Sequence, residues 1–223
     1  MKQVILNGAS GKMGQAIARI IEENPQCGLC VAGVRERSDG FDMKGDIIID
    51  FSSPEGAQAA FQWAKIHKAA CLIGTTNLPE SFLFQMQEEN KFPLFYAPNV
   101  SLSVFFFGQL LKQACKLYAG HEKAMHEIHH AQKKDAPSGT AKKLAELIDF
   151  PKDKITYERI GMVPGTHQLT FSGPYDKVTL THEALSRDLF AASAVEIATW
   201  LVKQPAGFYT MTDYAKAVLK QLK

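Results

Sequence analysis

Residues 3–14 read Gln-Val-Ile-Leu-Asn-Gly-Ala-Ser-Gly-Lys-Met-Gly, and this stretch decides the fold. The apolar run Val4–Leu6 is typical of a short buried strand. Glycines with the spacing G-x-x-G-x-x-G follow at once, and isoleucines with helical spacing come after them. A strand, a glycine turn and a helix in this order form the context of a dinucleotide-binding fingerprint, whose usual spacing is G-x-G-x-x-G. We therefore expect a pyrophosphate on the N–H groups of Gly11, Lys12 and Met13, where the helix begins.

The alternation of strands and helices continues through the first half of the chain. Strand candidates lie at 3–7, 29–34, 46–51, 70–74 and 93–97, and helical patterns lie at 13–24, 54–67 and 79–90. This order predicts an α/β fold with a doubly wound, Rossmann-like parallel sheet. The connection at 35–45 is an exception, because it is too short for a normal crossover helix.

The second half of the chain has a different pattern. A long helix is expected at 104–119, and the tail 188–223 is expected to be helical again. Strand candidates lie at 123–131, 154–160, 166–173 and 177–183, with a helix at 138–149 between them. This mixture predicts a C-terminal α+β domain with a mixed sheet. We place a dinucleotide-binding domain at 1–100 and a second domain at 101–187.

Residues 127–141 carry the densest chemistry and read Glu-Ile-His-His-Ala-Gln-Lys-Lys-Asp-Ala-Pro-Ser-Gly-Thr-Ala. Asp135 or Ser138 can cap a helix here, and Pro137 fits a first helical turn. The N–H groups at such a helix start attract an anion, and proton donors stand just before it. The pairing suits a small acidic substrate that is held by a carboxylate and protonated. The candidate proton donors are His129, His130 and Lys133, and the candidate anion cradle is Ser138, Gly139 and Thr140.

Residues 126–130 also match the zinc metalloprotease pattern H-E-x-x-H. That chemistry needs a helix, on which His126 and His130 share one face for the metal. The segment is predicted to be a strand, in which Glu127 points away from both histidines. A metalloprotease, and a non-catalytic module that senses NAD(P)H, stay open as alternatives to an enzyme that reduces its substrate.

These motifs resemble those of the dihydrodipicolinate reductase (4-hydroxy-tetrahydrodipicolinate reductase) family, and the chain looks like a short member. The family signature E-x-H-H-x-x-K-x-D-A-P-S-G-T-A is matched at every fixed position from Glu127 to Ala141. Further matches are Asp50-Phe51-Ser52 with Pro54-Glu55, Gly74-Thr75-Thr76, Ala97 with Asn99 and Ser101, Arg159 with Gly161, Pro164-Gly165-Thr166 and Ser186-Arg187. The resemblance therefore covers nearly the whole chain.

The resemblance implies an NAD(P)H-dependent oxidoreductase. It would reduce 4-hydroxy-tetrahydrodipicolinate to tetrahydrodipicolinate in lysine biosynthesis through diaminopimelate. His129 matches the proton donor and Lys133 the catalytic lysine. The substrate-binding positions are His130, Lys133, Ser138, Gly139 and Thr140. The cofactor-binding positions are Gly8, Ala9, Ser10, Gly11, Lys12, Met13, Gly74, Thr75, Thr76, Ala97, Pro98, Asn99 and Val100.

The resemblance also implies that the tail 188–223 packs on the first domain and that the connection at 35–45 is trimmed at the adenosine end of the pocket. It further implies a homotetramer built through the sheet of the second domain. Two departures from the family pattern stand out. Lys12 stands where arginine is common, and Ser193 stands where glycine is common. Arg35 follows the predicted second strand, which ends at Val34; at this position an acid contacts the ribose 2′-hydroxyl or an arginine accepts the 2′-phosphate. Arg35, with Arg37 facing the same way and Glu36 pointing elsewhere, therefore favours NADPH over NADH as cofactor, with NADH still used.

Composition excludes several other classes of protein. The formal net charge of +2 is far below the basic excess typical of nucleic-acid binding, so no nucleic-acid partner is expected. No apolar run of 18 residues indicates a membrane span, and no secretory signal is recognised, so a cytoplasmic location is expected. Cys27 and Cys30 form a C-x-x-C without a second pair for zinc, so reduced thiols and no metal are expected.

Overall fold

The computed structural model describes residues 1–35 and 43–221 and divides into two compact units. The first unit comprises Met1–Ser101 and Phe190–Lys223, and the second comprises Leu102–Leu189. The strands are β1 (Lys2–Asn7), β2 (Leu29–Arg35), β3 (Ile47–Asp50), β4 (Ala70–Ile73), β5 (Pro93–Tyr96), β6 (Glu122–His129), β7 (Thr156–Arg159), β8 (Gly165–Ser172), β9 (Lys177–Ala184) and β10 (Gly207–Tyr209). The helices are α1 (Lys12–Glu23), α2 (Pro54–His67), α3 (Glu80–Gln87), α4 (Leu102–Leu117), α5 (Gly139–Leu147), α6 (Asp188–Leu201) and α7 (Met211–Gln221).

The described part of the first unit is built on a parallel sheet with the order β10-β5-β4-β3-β1-β2. Strands β3 and β4 are buried at every position, which is why they are continuous apolar runs rather than alternating ones. Trp63 and Phe61 of α2 are almost fully buried in the core cluster that includes Ile5 and Ile48 of the sheet. The predicted α/β fold is confirmed, and the connection at 36–42 lies outside the described residues.

The strand order reverses at β1, because β2 lies on one side of it and β3 on the other. In an open parallel sheet such a reversal leaves a crevice outside the carboxyl ends of the strands, and ligands bind there. Helix α1 begins in this crevice at Lys12, and the four residues 8–11 separate it from the end of β1 at Asn7. The topology therefore brings the glycine turn, the end of β2 and the loop after β3 to one edge of the sheet.

The second unit has a four-stranded mixed sheet among the described residues, with the order β7-β6-β8-β9. Strand β6 runs parallel to β7 and antiparallel to β8, so the predicted mixed sheet is confirmed. Burial alternates along β8, whose buried residues Leu169 and Phe171 pack with Met125 of β6. Apolar side chains of α4 and α5 complete this core. Because side chains along a strand point alternately to the two faces, every second residue, including the polar His167, lies on the face that the helices cover.

The tail differs from the prediction of a wholly helical segment. Strand β10 lies between α6 and α7 and pairs in parallel with β5 at the edge of the first sheet. Its three residues, Gly207–Tyr209, are too few to show a period in the sequence. The strand forms because the edge strand β5 offers free backbone groups for pairing. The tail is packed against this sheet, since the Trp200 ring lies 6.4 Å from the Phe95 ring in edge-to-face contact.

The cysteines of the chain are unpaired, and one of them is deeply buried. Cys27, Cys30, Cys71 and Cys115 carry free thiols. Burial raises the pKa of the Cys71 thiol well above its ordinary value, so this thiol is un-ionised at neutral pH. None of the helices in the described ranges is long and apolar enough to cross a membrane.

Candidate active site

The glycine turn between β1 and α1 has no room for side chains at two of its glycines. Gly8 has a φ of 84°, a conformation that side-chain-bearing residues rarely adopt. A Cβ on Gly14 would lie 2.3 Å from the Gly8 carbonyl oxygen, so helix α1 can approach the turn only because residue 14 is glycine. This close packing is the function of the last glycine of a dinucleotide fingerprint.

The start of α1 is suited to an anion. The first turn of the helix contains no acidic residue, and the N-cap Gly11 makes no side-chain capping hydrogen bond. The Gly11 N–H donates to the Gly8 carbonyl oxygen at 3.1 Å, so this predicted phosphate ligand already has an acceptor within the turn. Lys12 and Met13 belong to the first helical turn, where N–H groups have no intrahelical acceptor. A phosphate here would also meet the positive end of the helix dipole.

A cavity of about 270 Å³ lies at the strand reversal, next to this helix start. Arg35 forms one wall of the cavity, and its Nη1 donates to Asn7 Oδ1 at 2.9 Å. The guanidinium is therefore held at the end of β2, where sequence placed it, while Glu36 and Arg37 lie outside the described residues. The lining residues are Asn7, Gly8, Ser10, Gly11, Arg35, Phe51, Ser52, Ser53 and Gly56.

Asp50 ties together the loops that surround this cavity. Its buried carboxylate accepts hydrogen bonds from Asn7 Nδ2 at 2.6 Å, Ser52 Oγ at 2.5 Å and Thr75 Oγ1 at 2.6 Å. Thr75 Oγ1 in turn lies 2.9 Å from the Ser52 N–H, which donates to it. Burial raises the pKa of Asp50, although the three hydrogen bonds oppose that effect. One carboxylate thus fixes the ends of β1, β3 and β4 relative to one another.

We predict that Asp50→Asn destabilises the fold and weakens dinucleotide binding. The amide replaces one of the two accepting oxygens by an NH2 donor, so at least one of the three donors loses its acceptor, at a cost of about 1–3 kcal/mol. Urea unfolding measures the first effect, and fluorescence titration with NADPH measures the second. Asp46→Asn is the control, because this partly exposed carboxylate binds Lys2 Nζ at 2.7 Å at the start of β3. Equal unfolding midpoints for the two variants would contradict the role given to Asp50.

The other cofactor positions predicted from sequence lie in loops at the same edge of the sheet. Gly74 and Thr76 follow β4, and a Cβ on Gly74 would lie 2.1 Å from the Phe51 ring, so the glycine is required for packing. Ala97–Val100 follows β5, and Asn99 Oδ1 accepts from the Ser101 N–H at 2.9 Å, which shapes this turn. The structure therefore brings the predicted cofactor residues of the first unit to the carboxyl ends of its strands.

The sheet of the second unit carries a group of polar residues on its helix-covered face. Glu127 and His129 lie two residues apart on β6, so their side chains are on the same face, and both are buried. His167 of β8 lies directly across from Glu127, and Arg159 of β7 lies directly beside His129 in the strand register. His167 in turn pairs with His182 of β9. Five ionisable side chains from four strands thus share one face.

Glu127 is the centre of this group. One carboxylate oxygen accepts from Arg159 Nη2 at 2.7 Å and from the Ser138 N–H at 3.1 Å, and the other contacts His129 Nδ1 directly. Burial would raise the pKa of Glu127, but the hydrogen bonds from His129 and Arg159 outweigh burial and lower it to about 2. The carboxylate is therefore ionised at neutral pH.

His167 is uncharged at neutral pH, in contrast to the ionised Glu127. Burial, together with the charge of neighbouring His129, lowers its pKa to about 3, so the ring is neutral at neutral pH. Its Nε2 lies 3.5 Å from Ser138 Oγ, and its ring centroid lies 5.3 Å from that of His129. His167 is therefore an uncharged ring that packs beside His129, the histidine that contacts Glu127.

The predicted anion cradle forms at the start of α5. Ser138 is the N-cap, and its Oγ accepts from the Ala141 N–H at 3.1 Å. Pro137 precedes the cap, so its predicted place in the first helical turn is wrong; a serine side chain caps the backbone one residue later. A Cβ on Gly139 would meet nothing within 4 Å, so the backbone at the first helical residue is open to a ligand. Thr140 is the next helical residue.

A carboxylate of the chain already uses donors of this cradle. Asp135 accepts from Lys133 Nζ at 2.6 Å and from the Gly139 N–H. Burial would raise the pKa of Asp135, but the Lys133 hydrogen bond and charge lower it. Arg159 Nη2 also donates to the Asp135 carbonyl oxygen at 2.7 Å and so holds this loop against the sheet. Lys133 and Gly139, predicted from sequence to bind substrate, are thus close enough to bind one carboxylate together.

Sequence reasoning predicted the histidine and the cradle but missed three of their partners. Glu127 was quoted only as part of a motif, although it lies two residues before His129 and therefore on the same face of a strand. Arg159 and His167 reach the group through strand pairing, which no local pattern reveals. His130 follows the end of β6 and is half-buried.

The zinc protease arrangement is wrong for this segment. Residues 122–129 form strand β6, and burial alternates so that Glu127 and His129 point inward while His126 does not. Glu127, His129 and His167 do offer ligand atoms within 4.8 Å of one another. However, Arg159 pairs with Glu127, and a cation on that carboxylate opposes metal binding.

Comparison with known proteins decides the family. The model described as "Dihydrodipicolinate reductase, N-terminus" matches residues 2–100, and the one described as "Dihydrodipicolinate reductase, C-terminus" matches residues 103–214. The chain belongs to the dihydrodipicolinate reductase family. The resemblance found from sequence motifs is therefore confirmed, and no finding supports the protease.

Relatives of this dihydrodipicolinate reductase family member agree over its whole length. The 4-hydroxy-tetrahydrodipicolinate reductases of Rickettsia canadensis (strain McKiel) and Caldanaerobacter subterraneus subsp. tengcongensis are 34% and 33% identical to it. Each alignment covers 97% of this chain and 99% of the relative. The dipicolinate-bound dihydrodipicolinate reductase from Paenisporosarcina sp. TG-14 is similar in structure, with a TM-score of 0.75 at 20% identity over 96% of this chain and 99% of that one. This likeness confirms the fold.

Proposed function

We propose that this chain reduces 4-hydroxy-tetrahydrodipicolinate to tetrahydrodipicolinate with reduced nicotinamide dinucleotide, the reaction of lysine biosynthesis through diaminopimelate. The observation that carries the proposal is the arrangement in the second unit. There a buried histidine in contact with a carboxylate stands on the same strand-and-loop segment as a cradle for a second carboxylate. Such a site holds an acidic substrate and gives it a proton.

The first unit fits the dinucleotide. The close approach of Gly8 and Gly14 leaves backbone where a pyrophosphate binds, and the first turn of α1 carries no acid to repel it. Gly8–Met13 would hold the pyrophosphate, and Gly74–Thr76 with Ala97–Val100 would border the nicotinamide. When bound, the cofactor supplies a hydride to C4 of the conjugated cyclic imine that remains after the 4-hydroxyl leaves as water. We propose the first unit as the dinucleotide-binding domain.

The cofactor preference is carried by Arg35. Its guanidinium stands in the wall of the cavity at the strand reversal, and the described residues that line this cavity include no carboxylate. A charge-assisted hydrogen bond to a 2′-phosphate contributes about 1.5–3 kcal/mol, so NADPH is preferred, while NADH is still used through the shared contacts.

The second unit binds the substrate. Lys133, Gly139 and Thr140 hold one of its carboxylates, which replaces the Asp135 carboxylate on Lys133, and Ser138 keeps the helix start in place. His130 borders the substrate on the side of β6. Hydride addition leaves an enamine, and His129 transfers its proton to the enamine carbon while the positive charge of Lys133 stabilises the charge that develops.

We expect Thr140→Val to weaken binding of a dicarboxylate about tenfold, because one hydroxyl donor to a carboxylate is lost. Calorimetric titration with pyridine-2,6-dicarboxylate in the presence of cofactor measures the effect. Thr170→Val is the matched control, because the hydroxyl of this half-buried threonine of β8 lies 3.1 Å from that of its neighbour Thr179, on a strand away from the cradle. Unchanged binding in Thr140→Val, or absence of binding in the wild type, would show that the cradle is misplaced.

A coupled assay tests the function itself. Aspartate semialdehyde and pyruvate are converted by the preceding synthase, and loss of reduced-nicotinamide absorbance is followed. Turnover supports the reductase; cofactor binding without turnover would instead support the NAD(P)H-sensing module. The homotetramer built through the sheet of the second unit and the cytoplasmic location stay predictions, and sedimentation analysis tests the tetramer.

A further inference from the structure

The contact between Glu127 and His129 has a geometric consequence for the proton that His129 carries. Both side chains are buried, and Glu127 meets the Nδ1 side of the imidazole. The carboxylate cannot swing away, because Arg159 Nη2 and the Ser138 N–H donate to its other oxygen at 2.7 Å and 3.1 Å. The ring is therefore fixed with Nδ1 toward Glu127 and Nε2 on the opposite side.

The Nε2 side of the ring is kept open by a glycine. A Cβ on Gly165 would stand 2.9 Å from His129 Nε2, so any other residue at the start of β8 would press against that atom. His167 flanks the ring with its neutral imidazole, which offers no competing charge at neutral pH. Nδ1 is thus occupied by Glu127, and the glycine at 165 keeps a side chain from pressing on Nε2.

We propose that Glu127 is a positioning residue for the reaction. Its carboxylate, held by Arg159 and the cap of α5, fixes the His129 tautomer and ring orientation and stabilises the charged imidazole, so that Nε2 is the atom that gives up the proton. This inference rests on the proposed reductase function. A carboxylate that orients a histidine and favours its protonated form is a known way to prepare a proton donor.

The alternative role for Glu127 is purely structural, and the two roles predict different kinetics. We expect Glu127→Gln to lower kcat about ten- to a hundredfold with little change in KM, since the cradle remains. The pH profile of kcat should change as well, because the carboxylate that contacts the Nδ1 side of the proton donor is lost. The other charged or titratable groups facing this pair are Arg159 on β7, His167 on β8, His182 on β9 and Lys133 after β6.

The opposite face of the same sheet supplies a matched control. There Glu158 Oε1 lies 3.4 Å from His126 Nε2, so an exposed carboxylate contacts a half-buried histidine. Glu158→Gln should leave kcat, KM and the pH profile unchanged. In a His129→Ala background, adding Glu127→Gln should have no further effect on kcat, because the residue that it positions is gone. A further loss in that background would overturn the proposal in favour of a structural role.

Two further measurements keep the test decisive. If Glu127→Gln does not fold, Glu127→Asp keeps the charge and withdraws it by about one C–C bond, 1.5 Å, and should give the same loss of kcat at unchanged KM. Long-range ¹H–¹⁵N spectra should show His129 protonated on Nδ1 in the wild type and a changed tautomer population in Glu127→Gln. Wild-type kcat, pH profile and tautomer in the variant would overturn the positioning role. Lack of turnover in the wild type itself would instead refute the proposed function, and the spectra would still report on the contact.

Discussion

His129→Ala should lower kcat by about 10²–10⁴-fold, the usual contribution of a positioned proton donor. The variant loses the only side chain that we assign to protonation of the enamine carbon. The KM for substrate should change much less, because the cradle at the start of α5 does not depend on the imidazole. Steady-state kinetics in the coupled assay measure both constants.

His126→Ala is the matched control for this variant. His126 stands three residues earlier on the same strand, faces the other side of the sheet, and contacts Glu158 and Thr156 rather than the buried group. It should retain wild-type kcat. A folded His129→Ala protein with wild-type kcat would remove His129 from the mechanism, and a loss confined to KM would make it a binding residue.

Arg35→Glu should abolish or reverse the preference for NADPH. The wild-type guanidinium contributes an attraction worth about ten- to a hundredfold in affinity for a 2′-phosphate, and the new carboxylate adds repulsion. NADH carries no such phosphate, so its kcat/KM should change less. The ratio of kcat/KM for the two cofactors is the measured quantity, and rising salt should reduce it in the wild type.

The control for Arg35→Glu changes the same charge elsewhere in the first unit. Arg19 lies on α1, does not line the cavity, and pairs with Glu23 at 3.0 Å on the surface. Arg19→Glu should leave the cofactor ratio as it is. If the wild type uses both cofactors equally and Arg35→Glu leaves that ratio unchanged, Arg35 has no part in the choice.

Local sequence predicted the strands and helices whose apolar residues recur in a clear pattern or whose ends carry a clear capping or turn residue. The apolar runs became β1 to β5, and Ser138 caps α5 as its residue type suggested. The glycines at 8 and 14 gave the turn because no side chain fits there. These features depend on neighbours in the chain, so the chain alone reveals them.

The three-residue strand β10 and the place of Pro137 were beyond local reasoning. A strand of three residues has no readable period, and it forms because the edge of β5 is available in the folded unit. Pro137 suits a first helical turn by residue type, yet a serine side chain one position later satisfies the helix N–H groups and sets the boundary.

By itself, the sequence determined the fold class, the family, and the identity of His129, Lys133 and the helix cap Ser138, because local patterns and motifs of neighbouring residues indicate each of them. Only the tertiary structure decided what surrounds them. Pairing of β6 with β7 and β8 brings Arg159 and His167 to Glu127, although they are far apart along the chain. In the same way, Asp50 gathers Asn7 and Thr75 through parallel strands. The physical reason is that a buried carboxylate needs donors from whichever strands lie beside it, and the strand order is fixed by the packing of the whole sheet rather than by any local segment.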